Sequence, residues 1–160
     1  AMLLPDVSGL TGLRTLVLDG VEVACGVAVG TSLSHLEHLQ LNLAGGAEEL
    51  PFALTFLSRL RTLVVNSVGN RLKLPADIGS ALPQLRKLKL LSADELRELP
   101  ASVTALQNLA FLGVYGCAQL EALPGDLSEL KVLRMLDVKG SDGSMLPRSI
   151  NEVYGLKIST

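Results

Sequence analysis

The sequence is poor in aromatic residues, cysteine and histidine, and these shortages limit what it can be. It has no tryptophan, and its two tyrosines and three phenylalanines make up 3% of the 160 residues, while 48% of the residues are hydrophobic. Such a composition favours a core of aliphatic side chains over a compact sandwich. No apolar run approaches the length that crosses a bilayer.

An excess of charge of either sign is also missing. Fourteen lysines and arginines face sixteen acidic residues, which gives a formal net charge of −2. Nucleic acids and anionic membranes attract strongly basic proteins. The balance therefore predicts a partner that is neither a nucleic acid nor a membrane.

Residues that carry chemistry are few and scattered. His35 and His38 are the two histidines, and a spacing of three places them on opposite faces of a strand, so a shared metal site is not expected. No glycine-rich phosphate loop, zinc-ligand spacing, Gly-x-Ser-x-Gly motif or Cys/His pair occurs. The sequence therefore predicts no catalytic residues, no metal site and no cofactor, and we expect that the protein is not an enzyme.

One pattern, L-x-x-L-x-[LV], recurs along the chain at intervals of 23 to 25 residues. All eighteen apolar slots of its six copies hold leucine or valine, and the first slots are Leu13, Leu36, Leu60, Leu85, Leu109 and Leu133. A fixed period in this range with this motif is the signature of leucine-rich repeats. No single unit can bury its leucines alone, so the units must stack around one continuous core.

The segments between the motifs predict the structure of the connections from one strand to the next. Leu-Pro precedes most units, at positions 4–5, 50–51, 74–75, 99–100, 123–124 and 146–147. Apolar residues then recur about every three positions, a spacing typical of short helical turns. The expected fold is an α/β leucine-rich repeat solenoid, curved and right-handed. Parallel strands form its concave face, and short helical or 3₁₀ turns form its convex face.

We expect residues 1–160 to be a single domain of six to seven repeats, the seventh beginning near Leu156. The extra residue between Leu60 and Leu85 predicts a bulge at Ser80 and Ala81. Residues 21–32 break the pattern and could be a degenerate repeat or a second short strand on the convex side. Neither end has the polar face of a terminal repeat. This predicts a fragment of a longer protein, or self-association through uncapped ends.

The residues between the leucines should point to the concave face, because side chains alternate along a strand. Aligning the six motifs yields three columns of such residues. The first is Thr15, His38, Thr62, Lys87, Phe111 and Met135; the second is Val17, Gln40, Val64, Lys89, Gly113 and Asp137; the third is Asp19, Asn42, Asn66, Leu91, Tyr115 and Lys139.

The columns differ between the two halves of the chain, and the second half carries the candidate binding site. Exposed aromatic and methionine side chains beside charges are typical of an interface centre. The candidates are Lys87, Lys89, Leu91, Phe111, Tyr115, Met135, Asp137 and Lys139. Gly113 should leave room for an inserted side chain, and the lysines indicate an acidic group on the partner. Alternatively, Phe111 and Tyr115 pack on each other as a local lid.

A row of arginines should follow one rim of the sheet. Arg14, Arg61, Arg86 and Arg134 share the second motif position, and Glu37 and Ala110 interrupt them. The row is either a solubilising edge, which we favour, or a phosphate-binding row.

Residues 109–124 read L-x-x-L-x-V-x-G-C-x-x-L-x-x-L-P, which resembles the intracellular Leu-Pro repeats of plant nucleotide-binding immune receptors. Similar repeats occur in Ras-binding scaffold proteins and in bacterial type III effectors. The resemblance implies a protein-recognition role, as the sensing domain of a plant-type immune receptor or as the recruiting domain of an effector or signalling enzyme. Cys25 and Cys117 lie within repeats rather than in caps, and no Asn-x-Ser/Thr sequon occurs, so we expect a cytoplasmic location.

Overall fold

The computed structural model describes residues 9–21, 31–48, 50, 54–69, 71–142, 144, 146–148, 150 and 155–160. Within them lie seven strands: β1 (Thr15–Val21), β2 (His38–Leu43), β3 (Thr62–Asn66), β4 (Lys87–Leu91), β5 (Phe111–Tyr115), β6 (Met135–Asp137) and β7 (Lys157–Ser159). They form one parallel sheet whose spatial order equals the order in the sequence. Each repeat therefore pairs with its neighbours in the chain, as a solenoid requires.

The register of the sheet confirms the three predicted columns. Thr15 pairs with His38, His38 with Thr62 and Thr62 with Lys87. The same row continues through Phe111 and Met135. A slip of one residue would turn the leucines outward, so burial of the leucines fixes which side chains face the other way.

Leucines fill the interior between the sheet and the returning segments. The second motif positions of four successive strands, Leu63, Leu88, Leu112 and Leu136, are completely buried. Pro75, Pro100 and Pro147 each accept a backbone hydrogen bond from the residue three positions on, at 3.0–3.1 Å. Proline thus begins the returning turns, where its missing N–H costs nothing.

The returning segments are short helical turns, as the spacing predicts. Within the described residues, four are 3₁₀ turns, at Thr31–Leu33, Leu54–Phe56, Ala101–Ala105 and Leu127–Glu129, and one is an α-helix, α1 (Ile78–Ala81). The extra residue lies where it was predicted, since α1 contains Ser80 and Ala81. It widens the turn from 3₁₀ to α rather than forming a bulge, because the Leu82 N–H donates to the Ile78 carbonyl at 3.1 Å.

The last strand fixes where the seventh repeat begins. Lys157 pairs with Met135, and Ile158 pairs with Leu136. The first motif position of this repeat is therefore Gly155, next to the predicted Leu156, and Leu156 packs partly buried against the core. The possible extra strand at residues 21–32 lies largely outside the described residues.

Candidate protein-binding surface

The concave face is the face of the sheet turned away from the leucine core, and its two halves differ. On β1 to β3 it carries hydroxyl, amide, imidazole and valine side chains, with Asp19 as the charged residue. The Asn42 amide donates a hydrogen bond to the Asp19 carboxylate. This half therefore offers a polar surface with little net charge.

On β4 and β5 two lysines lie against two aromatic rings, a group that we call the aromatic–lysine cluster: Lys87, Lys89, Phe111 and Tyr115. The Lys87 ammonium lies 5.1 Å from the centre of the Phe111 ring. The Lys89 ammonium lies 5.4 Å from the Phe111 centre and 5.5 Å from the Tyr115 centre. Cations at such distances over ring faces are attracted by the ring quadrupole, so the cluster holds its charges in place.

Gly113 is the reason the two rings converge. A Cβ atom at this position would lie 2.5 Å from Cε2 of Tyr115 and 2.9 Å from Cε1 of Phe111. The rings therefore fill the space that the sequence left open for an inserted partner side chain, and that prediction is wrong. Both aromatic residues remain half-buried on the concave face, so they form a lid over Gly113 that still presents a surface.

Asp137 supports this lid from the next strand. It pairs with Gly113 in the sheet, its carboxylate accepts a hydrogen bond from the Lys139 N–H at 3.3 Å, and it lies close enough to the Tyr115 hydroxyl to act on its titration. Asp137 is only 8% exposed, so the prediction that it faces the partner is wrong. Burial, together with the charge of Asp137, raises the pKa of Tyr115. The phenol therefore stays protonated and positions the ring.

The backbone beyond β4 and β5 places Tyr115 and Lys139 side by side. The N–H groups of Ser67, Ser92 and Gly116 donate to the carbonyls of Leu91, Tyr115 and Lys139, at 2.8–3.0 Å. Lys139 thus continues the third column, as predicted, and it is exposed. Leu91 and Met135 are half-buried at the border of the aromatic–lysine cluster.

A half-buried hydroxyl, that of Ser141, fixes the turn behind Tyr115. Ser141 Oγ accepts from the Cys117 N–H and donates to the Val114 carbonyl, both at 2.9 Å. Cys117 is a free, buried thiol, and burial raises its pKa. The protonated thiol packs in the core and is poorly suited to nucleophilic chemistry. Cys25 lies outside the described residues.

Lys157 is a residue that the sequence-based assignment missed. It is exposed on β7 and continues the row of Lys87, Phe111 and Met135. If the motif of the seventh repeat began at Leu156, Ile158 rather than Lys157 would lie on this face. The alternation of Lys157, Ile158 and Ser159 could have revealed it, because only Ile158 suits the core-facing position.

The rim arginines are partly neutralised. The Glu37 carboxylate pairs with Arg14 at 3.0 Å and with Arg61 at 3.2 Å. Arg134 donates instead to the carbonyls of its own loop, at 3.1 and 3.3 Å. These contacts fit a solubilising edge that links neighbouring repeats better than a phosphate-binding row.

A groove of about 980 Å³ lies at the opposite edge, between Glu48 and Glu121. Four of its charged side chains are paired between repeats, because Arg71 contacts Glu95 at 2.9 Å and Arg97 contacts Glu121 at 3.6 Å. Exposed pairs such as these contribute little stability each and leave little charge for a ligand.

The described residues contain no group of three or more metal-ligating side chains. None of the helices in the described ranges has the length and apolarity that crossing a bilayer requires.

Comparison with solved structures identifies the fold. The chain is similar to the leucine-rich repeat domain of the type III effector XopL, with a TM-score of 0.51 and 21% identity over 99% of this chain and 72% of that one. It is also similar to a leucine-rich repeat protein of Leptospira interrogans, with a TM-score of 0.50 and 22% identity over 98% of this chain and 50% of that one. The fold is a leucine-rich repeat solenoid.

Neither the protein-family models nor the curated proteins contain a match to the sequence. At these identities the two structural neighbours establish the fold alone. Proteins with this fold have many different functions, so the fold alone does not indicate the function of this chain.

Proposed function

We propose that this solenoid is a protein-recognition module that binds a protein ligand on the concave face of its fourth to sixth repeats. The contacting residues are Lys87, Lys89, Leu91, Phe111, Tyr115, Met135 and Lys139, and Asp137 positions Tyr115. The observation that carries the proposal is the uneven concave face. The leucine and valine positions of the motif recur in all six copies, while aromatic, methionine and lysine side chains gather in one half. Core packing does not require that gathering, whereas an interface centre does.

The parent protein has two candidates, each favoured by one observation. The form of residues 109–124 favours the sensing or regulatory domain of a plant-type immune receptor. The likeness to XopL favours the recruiting domain of a bacterial effector. The flanking coding sequence separates them, because a nucleotide-binding P-loop upstream fits the receptor and a ligase or transferase domain fits the effector. A cytoplasmic location belongs to the proposal for both, supported by the free Cys117 thiol.

The test is affinity capture from a lysate of the source cells with three baits, each checked for folding by circular dichroism. These are the wild type, a Lys89→Glu/Tyr115→Ala variant and a control, Gln40→Glu/Val17→Ala, altered on the other half of the concave face. We expect a partner that the wild type and the control retain and the first variant loses. A partner that all three baits retain would refute the proposed surface.

A further inference from the structure

On the concave face of the fourth to seventh repeats, lysines outnumber the carboxylates that the described strands contribute. Lys87 and Lys89 lie on β4, Lys157 lies on β7 and Lys139 follows β6. Asp137 is the one carboxylate that the described strands contribute to this half, and it is 8% exposed and accepts a hydrogen bond from the Lys139 N–H. A chain of net charge −2 thus presents four lysines on one surface.

Lysines of the chain itself occupy the positions over the two aromatic rings where a cation from a partner could otherwise bind. The Lys89 ammonium lies between the two rings, 5.4 Å from the Phe111 centre and 5.5 Å from the Tyr115 centre, and Lys87 lies beside it over Phe111. An incoming lysine or arginine would have to displace Lys89 and approach two like charges. Because the rings restrain these ammonium groups, an anion that binds them loses less side-chain entropy on association.

We propose that this surface binds an extended acidic segment of the partner protein. Its carboxylates pair with Lys87 and Lys89 at one side and with Lys139 and Lys157 at the other. The inference rests on the proposed function and adds the chemistry of the partner. The cations here are all lysines, which act as point charges and pair with a carboxylate or a phosphate alike. A chain of net charge −2 lacks the basic field that attracts a nucleic acid, so a carboxylate-rich peptide fits this surface better.

The sheet also sets the spacing of the acidic residues. Lys87, Phe111, Met135 and Lys157 occupy one row on successive strands, so the two lysines are three strand spacings apart, about 14 Å. In an extended peptide, residues i and i+4 are about 13 Å apart and point to the same side. A peptide that crosses the strands with acidic residues at i and i+4 thus reaches both lysines.

The test is fluorescence anisotropy at low ionic strength with short labelled Gly/Ser peptides. One peptide carries two glutamate pairs, at i and i+4; a second carries glutamine in their place; a third carries the four glutamates consecutively. A single-stranded DNA of equal charge is the fourth probe. The proteins are the wild type, Lys89→Glu/Lys139→Glu and the charge-matched control Lys73→Glu/Lys131→Glu, which alters exposed lysines away from this face.

We expect the wild type to prefer the i, i+4 glutamate peptide several-fold over both peptide controls. The concave variant should lose about tenfold in affinity, since reversed charges repel the ligand, while the control stays within about twofold of the wild type. Added salt should weaken binding.

Three results would overturn the inference: equal binding of the glutamate and glutamine peptides, equal loss in both double variants, or tighter binding of the DNA than of the i, i+4 peptide. Equal binding of consecutive glutamates would overturn the across-strand geometry. Failure of every glutamate peptide, with capture of the cellular partner still dependent on Lys89 and Tyr115, would refute the acidic ligand and leave the proposed function standing.

Discussion

The concave faces of β1 to β3 and of β4 to β6 are built on the same core and carry different side chains. Leu39 and Leu63 in the first half are as deeply buried as Leu88 and Leu112 in the second. On the other face, threonines and amides of the first half give way to lysines and aromatic rings. In each strand, the core-facing side chains thus stabilise the solenoid. The alternate side chains, on the concave face, can differ between repeats without changing the core.

The prediction with the largest expected effect concerns the stability lost when a core leucine is truncated. It tests whether the core is equivalent in the two halves. Leu63→Ala and Leu88→Ala remove equivalent, fully buried side chains, and each should lower the free energy of unfolding by about 2–5 kcal/mol. Chemical denaturation measures both. Lys89→Ala, on the same strand as Leu88, should change stability by less than about 1 kcal/mol. A large loss from only one of the two leucines would show that the halves are not equivalent.

A second prediction concerns the turn that supports the half with the aromatic–lysine cluster. A Cβ at Gly79 in α1 would lie 2.0 Å from the Ser102 carbonyl oxygen and 2.8 Å from the Ala105 Cβ. Gly79→Ala should therefore cost about 1–3 kcal/mol or more, because backbone has to move. The control is Gly125→Ala, where a Cβ meets nothing within 4 Å. Equal thermal stability of the two variants would contradict the close packing of α1 on the next turn.

A smaller effect on stability is expected at the residues with left-handed backbone that directly follow two of the strands. Ser92 (φ 50°) and Gly116 (φ 61°) occupy equivalent positions after β4 and β5. Gly116→Ala should cost about 1 kcal/mol because left-handed backbone strains a side chain. Ser92→Gly should gain about 0.5 kcal/mol, the relief of strain exceeding the added flexibility of the unfolded chain. Thermal melts measure both, and a stabilising Gly116→Ala would be contrary to this geometry.

The smallest predicted effect on stability concerns Tyr115, which has no equivalent in the first half. Its raised pKa means that the folded state holds the phenolic proton more tightly than the unfolded state. The resulting stabilisation is complete below the ordinary tyrosine pKa and is lost as pH rises through the raised value.

Ultraviolet titration of a Tyr154→Phe variant isolates the Tyr115 phenol, since the chain has two tyrosines. Adding Asp137→Asn should lower the Tyr115 pKa, because the negative charge that opposes ionisation of the phenol is removed. An unchanged titration would disprove the contact between Tyr115 and Asp137.

The sequence was sufficient for the fold because the period, the leucines and the Leu-Pro pairs all indicate one architecture. Aligned motifs also predicted the neighbours of each concave residue. What alignment cannot supply is how side chains fold over one another. Gly113 looks like a gap in the pattern, yet rings from its own strand cover it. Asp137 looks exposed by alternation, yet Tyr115 covers it. Lys157 was missed because a one-residue register slip exchanges the two faces of a strand.

The most direct test of the central claim is site-specific photocrosslinking in a lysate of the source cells. A benzophenone amino acid is placed at Met135 in one protein and at His38 in another, two positions of the same concave row. His38 is the more exposed of the two, so it is a stringent control. Recognition by the fourth to sixth repeats predicts a specific crosslinked protein from position 135 and none from position 38. The same crosslinked protein from position 38 alone, or equally from both, would contradict it.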